Sequence, residues 1–209
     1  MPWQRFDRRT LPATPWKNGG GVTREIVCQP PGAGLETFDW RVSIATIASD
    51  GPFSTFAGID RIITLLEGGG VHLASDDGAI DHRLDSPLHP FAFPGEACLH
   101  ARVLAGDCED FNVMTRRSVC RARVQRLREA SELSAPAGLM LATRGRWQAQ
   151  AAGHEAEALS PQQGLWWHQP NAFDSGPSAA PPVLWHVRPA SPDADLLAVT
   201  IHPVPVRPS

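Results

Sequence analysis

The sequence predicts an all-β protein with two halves of barrel or sandwich size. Short segments alternate apolar and polar residues, as strands with one buried face do. Closely spaced turns separate them, because the 209 residues include 18 glycines and 20 prolines, which interrupt helices. A chain of this length can form one large domain or two domains of about 100 residues each. The pattern favours two halves, divided somewhere between residues 118 and 136.

The first half contains the clearest strand signals. In FDWRVSIATI (38–47), apolar residues such as Trp40 and Ile44 share one face, whereas Arg41 and Ser43 share the other. Turn residues follow in DGPFSTFAGIDR (50–61). Further strand segments are predicted at 22–27, 62–75, 87–104 and 110–117.

The second half has the same character with weaker signals. Strands or strand pairs are predicted at 118–127, 137–153, 157–170, 182–189 and 195–206. Residues 171–182 are predicted to form a loop, because serine, glycine and proline dominate there. The modest helix candidates are 127–133 and 157–163.

Charge and composition limit the classes of partner. The net charge of -3 and the pI of 6.2 predict no general attraction to nucleic acid or to anionic membranes. The basic segment 116–129 alternates arginines with apolar residues, as expected for a strand with a solvated face, so a nucleic-acid contact is rejected. No apolar run approaches the roughly 20 residues that a membrane helix requires.

The cysteines and the N-terminus indicate the cell compartment. Cys28, Cys98, Cys108 and Cys120 show no CxxC spacing. The chain starts MPWQRF, without the apolar stretch of a signal peptide. We therefore expect free thiols and a cytoplasmic protein.

The segment WKNGGGVTREI (16–26) raises the question of whether its glycines bind a phosphate. A P-loop requires the spacing GxxxxGK[ST], and a dinucleotide-binding loop requires GxGxxG before a helix. Neither spacing is present, and the following residues alternate like a strand, so no helix N-terminus is available to hold an anion. We interpret the glycines as a tight turn that presents the neighbouring Lys17, Asn18 and Arg24.

Three segments are distinctive: PWKNGGGVTREI, FDWRVSIATIASDGPFSTFAGIDRIITLLEGGG and DFNVMTRR. Together they resemble the HutD/Ves family of small bacterial proteins, which is associated with histidine utilisation. The resemblance follows the whole chain in order and spacing, although the specific motifs lie before about residue 118. One departure is Ala57, where the family usually has proline, and this change loosens a turn.

The resemblance implies a double cupin, in which one chain forms two RmlC-like jelly-roll barrels with a small-molecule pocket. Residues 1–118 would form the N-terminal barrel and residues 119–209 the C-terminal barrel, with strand exchange between the barrels left open. The sequence does not fix the oligomeric state, and a homodimer is possible.

Most cupin enzymes hold a metal with two histidines and a glutamate on one strand pair and a third histidine on another. The first set is expected near residues 54–61, which contain no histidine. The second set is expected after the turn at Pro94-Gly95, where His100 is the one imidazole within reach. One histidine cannot build a Zn²⁺ or Fe²⁺ site of three or four ligands. We therefore expect neither a metal nor another cofactor.

Covalent catalysis has little support in the sequence. No GxSxG elbow occurs, and the cysteines lack an evident base. Asp50, Asp60 and Asp110 stand in the distinctive segments, and structural roles are favoured for all three. Six further histidines are interpreted as packed or solvated side chains: His72, His82, His89, His168, His186 and His202.

Polar and cationic side chains at strand positions are the remaining candidates for a site. Asn112, Met114 and Arg116 share one face of the strand predicted at 110–117, as Arg41 and Ser43 do in theirs. Parity leaves open whether these faces meet solvent or a barrel interior. The resemblance favours the interior, where a buried arginine is costly unless an anion meets it. Trp16 and Phe53 are expected to form apolar walls, with Lys17 and Asn18 over the opening. The predicted ligand-binding residues are Lys17, Asn18, Arg24, Arg41, Ser43, Phe53, Arg61, Asn112, Met114 and Arg116.

Two functions are compatible with these residues. The first is a non-catalytic protein that regulates or buffers histidine catabolism by binding a small carboxylate, of the urocanate or formimidoyl-glutamate type. The second is a metal-independent isomerase or hydrolase. In that enzyme, Arg61 and Arg116 would fix a similar acid, and Asp110 or Asp60 would move a proton.

Overall fold

The computed structural model describes residues 3–16, 19–173 and 181–205. The chain divides into two compact units: one spans Leu11–Ser118, and the other combines Met1–Thr10 with Val119–Ser209. The predicted first domain spans residues 1–118, with strand exchange left open, and in the structure the strand Trp3–Asp7 groups with the second unit. Backbone pairing explains this placement, because the strand Trp3–Asp7 is hydrogen-bonded to the strand Gln163–His168.

The described residues form strands and two short 3-10 helices. The strands up to Arg116 are β1 (Trp3–Asp7), β2 (Ala13–Pro15), β3 (Gly21–Gln29), β4 (Trp40–Ile47), β5 (Gly51–Pro52), β6 (Ile59–Gly68), β7 (Val71–Ser75), β8 (Asp81–Leu84), β9 (Pro90–Pro94), β10 (Leu99–Val103) and β11 (Cys108–Arg116). The later strands are β12 (Cys120–Leu127), β13 (Ser131–Ala135), β14 (Ala137–Arg144), β15 (Trp147–Ala151), β16 (Glu157–Leu159), β17 (Gln163–His168), β18 (Val183–Pro189) and β19 (Asp195–Pro203). The 3-10 helices are Arg8–Thr10 and Pro170–Ala172.

The all-β prediction is confirmed, but both helix candidates are wrong. Residues 127–133 end β12 and begin β13, and residues 157–163 contain β16 and the start of β17. Antiparallel pairing of β13 with β18 and of β16 with β15 outweighs the local helix propensity of these segments. Within the described ranges, no helix is long and apolar enough to cross a membrane.

The first unit consists of two antiparallel sheets. A six-stranded sheet has the order β2-β3-β4-β11-β6-β9, and a four-stranded sheet has the order β5-β10-β7-β8. Its core contains Ile47, Ile63 and Leu65 from the larger sheet and Leu73 and Leu99 from the smaller one. Burial of this apolar surface between the two sheets is the main favourable term in the folding of the unit.

The second unit repeats the two-sheet arrangement. A five-stranded sheet has the order β1-β17-β14-β19-β12, and a four-stranded sheet has the order β13-β18-β15-β16. Its core contains four buried tryptophans: Trp3, Trp147, Trp167 and Trp185. The rings of Trp3 and Trp185 meet edge to face, with 4.9 Å between their centroids.

Candidate functional site

The first unit contains a cavity of about 830 Å³ on the core-facing side of the six-stranded sheet. Its floor consists of side chains from β3, β4, β6 and β11, and an apolar wall follows β5. The principal polar residues of the floor are Glu25, Arg41, Ser43, Arg61, Asp110 and Asn112. The principal apolar residues of the wall are Trp16, Phe53 and Phe56.

Strand register brings two arginines to the same row of the floor. β11 lies between β4 and β6, and Met114 on β11 is paired with Arg41 on one side and with Arg61 on the other. Residues that lie directly opposite each other point to the same face of a sheet. The arginines are therefore held one strand away from Met114 on either side by the hydrogen-bond ladders of the sheet.

Arg61 is a nearly buried cation in an aromatic cage. Its exposed fraction is 6%, and its guanidinium carbon lies 5.2, 5.6 and 5.1 Å from the ring centroids of Phe53, Phe56 and Phe93. Nη1 donates to the carbonyl of Ser54 at 3.2 Å, whereas Nε has no hydrogen-bond partner among the described residues. Burial lowers the pKa of Arg61 to about 10, against the opposing effect of Asp110. The group stays protonated at neutral pH and has donor capacity for a further partner.

Asp110 and Asn112 supply two hydrogen-bond acceptors beside this cation. Their exposed fractions are 2% and 7%, and within the described ranges Oδ1 of each side chain has no hydrogen-bond partner. Burial raises the pKa of Asp110 to about 6, although the positive charge of Arg61 and a backbone hydrogen bond from Ala45 act in the opposite direction. A buried acceptor without a partner is costly, so these two oxygens can accept hydrogen bonds from a bound molecule.

Arg41 differs from Arg61, because it is already paired. Its Nε donates to Oε2 of Glu25 at 2.6 Å, and its Nη1 donates to Oγ of Ser43 at 3.2 Å. The exposed fraction of the Arg41 side chain is 12%, while that of Glu25 is 49%. The pair extends from the buried floor towards solvent, and the carboxylate of Glu25 offsets the charge of Arg41.

The glycine run positions an aromatic wall of the cavity. The amide of Trp16 donates to the carbonyl of Gly21, and the indole Nε1 donates to Oγ1 of Thr23 at 2.7 Å. A Cβ on Gly21 would lie 2.1 Å from the carbonyl oxygen of Thr46 and 3.1 Å from the Trp16 ring. Gly19 has a φ of +73°, which glycine adopts without strain. These glycines shape the chain beside Trp16, which agrees with the predicted tight turn, but of the side chains that the turn was predicted to present, Lys17 and Asn18 lie outside the described residues and Arg24 does not line the cavity.

A network around Arg117 supports the turn that carries Phe56. Arg117 Nε donates to Oδ1 of Asp60 at 2.7 Å, and Nη2 donates to Oε2 of Glu96 at 3.0 Å and to the carbonyl of Ile59 at 3.2 Å. Oε1 of Glu96 accepts a hydrogen bond from the amide of Gly58 at 2.8 Å. Asp60 thus has a structural role at this turn and does not line the cavity.

Comparison with known proteins assigns the chain to a family. The HutD family model matches residues 8–180.

The chain belongs to the HutD family.

Relatives agree with this assignment and confirm the HutD/Ves prediction. Protein Ves of Escherichia fergusonii is 41% identical over 165 residues, which cover 78% of this chain and 82% of the relative. The solved HutD structure from Pseudomonas fluorescens SBW25 has a TM-score of 0.76 and 29% identity, and the match covers 97% of this chain and 100% of that chain.

A more distant structural match concerns the fold alone. A cupin 2 conserved barrel domain protein from Leptotrichia buccalis has a TM-score of 0.56 and 10% identity, covering 95% of this chain and 96% of that one. Together with the two-sheet construction of each unit, this likeness confirms the double cupin fold that the HutD resemblance implied.

The side chains of this HutD-family cavity do not fit the metal site of catalytic cupins. In the part of the chain that the structure describes, no three His, Cys, Asp or Glu side chains are placed to hold a metal ion together. His100 is exposed on β10, where it is paired with Pro52 and Ala74 and does not line the cavity. The one buried carboxylate of the floor, Asp110, is accompanied by the cation Arg61, which opposes binding of a second cation.

The structure brings together six of the predicted ligand-binding residues. These are Arg41, Ser43, Phe53, Arg61, Asn112 and Met114, and Asp110 lies with them. Lys17 and Asn18 lie outside the described residues.

Two predicted residues lie away from the cavity. Arg24 donates from Nη1 to Oγ1 of Thr46 at 3.1 Å, because its position on β3 alternates with those of the cavity-lining Thr23 and Glu25. Arg116 ends β11 and donates to the backbone carbonyls of Phe38 and Glu36 at 3.0 and 2.9 Å. Arg116 therefore holds the chain before β4 instead of facing the cavity.

Sequence reasoning missed two of the three aromatic side chains around Arg61. Phe56 begins the turn that leads into β6, and Phe93 lies on β9 directly opposite Arg61 on β6. The pairing of β6 with β9 connects segments about thirty residues apart, and no local pattern specifies which residue of β9 meets Arg61.

Proposed function

We propose that this cavity binds a small carboxylate of histidine breakdown, of the urocanate or formimidoyl-glutamate type, and that the protein regulates or buffers histidine catabolism through this binding. The observation that carries the proposal is Arg61. Its guanidinium is almost fully buried, and Nε has no hydrogen-bond partner among the described residues. A carboxylate would supply the missing acceptor and offset the cost of burying the cation.

The surroundings of Arg61 support a planar or partly apolar acid. Trp16, Phe53 and Phe56 supply aromatic surface, and the polar groups lie together on the sheet floor. Small-ligand sites generally combine apolar walls with a few convergent polar groups in this way. The HutD structure from Pseudomonas fluorescens was described for a formate condition, and formate is the smallest carboxylate. Membership of the HutD family supports the connection with histidine utilisation.

Calorimetric titration and thermal denaturation with urocanate, formimidoyl-glutamate and formyl-glutamate test the proposal. A ligand at 100 times its dissociation constant should stabilise the wild-type fold by about 2.7 kcal/mol. The variant Arg61→Met should lose this stabilisation, since methionine can occupy the cage but cannot bind a carboxylate. Arg83→Met is the matched control, because Arg83 is an exposed cation that pairs with Asp85. If none of the three acids binds the wild-type protein, the proposal is wrong.

A metal-independent enzyme is the second candidate, and Asp110 is the observation that favours it. A buried carboxyl with its pKa raised to about 6 can both take up and release a proton near neutral pH. Arg61 would then fix the acid while Asp110 moves the proton in an isomerisation or hydrolysis. Prolonged incubation of each acid, followed by proton NMR, distinguishes the candidates. An enzyme produces a new compound and loses this activity in Asp110→Asn, whereas a binding protein returns the acid unchanged.

A further inference from the structure

We infer that the ligand of this cavity carries an N–H donor in addition to its carboxylate, and that Asp110 and Asn112 select for that donor. The inference rests on the proposed carboxylate function and adds the chemical class of the rest of the ligand. It concerns the acceptors of β11, which lie beside Arg61 and continue the floor of the cavity away from the row of the arginines.

Two neighbouring positions of β11 present free hydrogen-bond acceptors. Asp110 and Asn112 are alternate residues of β11, so both point into the cavity, and their Cα atoms are about 7 Å apart. In the described residues, Oδ1 of each side chain is buried without a hydrogen-bond partner. Buried acceptors are normally satisfied, and two consecutive exceptions on the floor of a cavity indicate a binding partner that donates hydrogen bonds.

Donors and acceptors are separated along β11. The row at Met114 carries Arg41 and Arg61, whereas the rows at Asn112 and Asp110 carry the acceptors. The Cα atoms of Met114 and Asp110 are about 13 Å apart along the strand, a distance that the long arginine side chains shorten. One end of the floor therefore donates hydrogen bonds and the other accepts them. A molecule with a carboxylate at one end and an N–H group at the other complements both ends.

The acceptors of β11 discriminate against other acids. A ligand without a donor would leave both acceptors buried and unpaired, and sites built for hydrogen bonds reject such analogues strongly. A second carboxylate placed at the acceptor end would meet Asp110, and like charges at close range are unfavourable. The expected ligand class is thus an acid with an imidazole, amidine or amino nitrogen, and simple dicarboxylates are disfavoured.

A matched pair of ligands tests the inference on the wild-type protein by calorimetric titration. Urocanate has an imidazole N–H, whereas 3-(3-thienyl)acrylate has the same acrylate and a five-membered ring without an N–H. We expect urocanate to bind at least tenfold more tightly, a ratio equivalent to about 1.4 kcal/mol. Equal affinities, with both depending on Arg61, would overturn this inference and leave the carboxylate proposal intact. If neither acid binds, this inference fails, whereas the carboxylate proposal is decided by the titrations with formimidoyl-glutamate and formyl-glutamate.

The variant Asp110→Leu assigns the selectivity to the acceptor end. It should weaken urocanate binding at least tenfold relative to 3-(3-thienyl)acrylate binding, because leucine has a similar size and accepts no hydrogen bond, whereas loss of the Asp110 charge beside Arg61 affects the carboxylate of both ligands alike. An equal loss for both ligands in a folded variant would contradict the inference. Asn112→Leu serves as the second variant with the same expected selectivity, and circular dichroism checks the folding of each. If neither variant folds, the comparison of the two ligands on the wild-type protein still tests the inference.

Discussion

Arg61 and Asp110 carry opposite charges on neighbouring strands of the same sheet, and each is more than nine-tenths buried. Among the described residues, neither Nε of Arg61 nor Oδ1 of Asp110 has a hydrogen-bond partner. The two groups influence each other electrostatically while keeping hydrogen-bonding capacity for a third molecule. A site that leaves buried polar groups unsatisfied sacrifices stability, so this relationship is expected in a binding site and is unusual in a core.

The first prediction concerns the pH dependence of stability. The folded pKa of Asp110, about 6, lies above the ordinary value of 3.8, so the fold disfavours its ionised form. The contribution of protonated Asp110 to the free energy of unfolding is fully present below about pH 4. It is lost as the pH rises through 6, and the loss is about 3 kcal/mol at most. This loss is measured by urea denaturation of the wild type and of Asp110→Asn at about pH 4.5, 5.5, 6.5 and 7.5, which span the expected transition. The difference between the two proteins should shift in favour of the variant as the pH rises. A constant difference would contradict the prediction.

The second prediction concerns the glycine beside Trp16. Gly21→Ala would bring a Cβ within 2.1 Å of the Thr46 carbonyl oxygen and 3.1 Å of the Trp16 ring. We expect a loss of about 1–3 kcal/mol in the free energy of unfolding and weaker carboxylate binding, since Trp16 must move. Gly34→Ala is the control, because an added Cβ meets no atom within 4 Å there. Equal stability of the two variants would show that the contact with Gly21 is unimportant.

The third prediction concerns the turn below the cage. Arg117→Ala removes the hydrogen bonds to Asp60, Glu96 and the Ile59 carbonyl. Because the side chains of Arg117, Asp60 and Glu96 are each about two-fifths exposed to solvent, we expect a loss of only about 1 kcal/mol in the free energy of unfolding. Carboxylate affinity should fall a few-fold, as Phe56 would be held less firmly against Arg61. Arg83→Ala, which removes an exposed pair away from the cavity, should change neither quantity. An unchanged carboxylate affinity in Arg117→Ala would show that the turn does not contribute to the site.

The fourth prediction concerns the second unit. Asp195 accepts hydrogen bonds from Arg126 at 2.6 and 2.8 Å and from Arg128 at 3.1 Å, and these bonds lower its pKa. Its contribution to stability is therefore present above the ordinary carboxyl pKa and is lost as the solution is acidified below it. Asp195→Asn should cost about 2 kcal/mol at neutral pH, measured by urea denaturation.

The control for this prediction is Asp193→Asn, because Asp193 makes an exposed ion pair with Arg144 and contributes little. The difference between the free energies of unfolding of the two variants should shrink as the pH is lowered towards about 3, because protonation of Asp195 removes the charge that Arg126 and Arg128 bind. Persistence of the full difference in acid would contradict the assigned role of the charge.

Much of the fold could be predicted because strands have a local signature. The alternation in residues 38–47 placed Arg41 and Ser43 on one face, and β4 has that arrangement. The same parity grouped Asn112 with Met114 on β11. Parity failed for Arg116, since the strand ends there and the side chain turns to the carbonyls of Phe38 and Glu36. Alternation of apolar and polar residues predicts the faces within a strand, but it does not predict where the side chain of the last residue points.

The sequence by itself determined the β class, the family and the polar faces of the strands, because a period of two residues and long motifs are local properties of the chain. Only the tertiary structure decided which polar face encloses a cavity and which residues meet across it. Arg61 meets Phe93 and the row of Arg41 through the pairing of β6, β9, β11 and β4. Such pairing joins distant segments and sets burial, and burial decides whether an arginine is a solvated surface cation or a receptor for an anion.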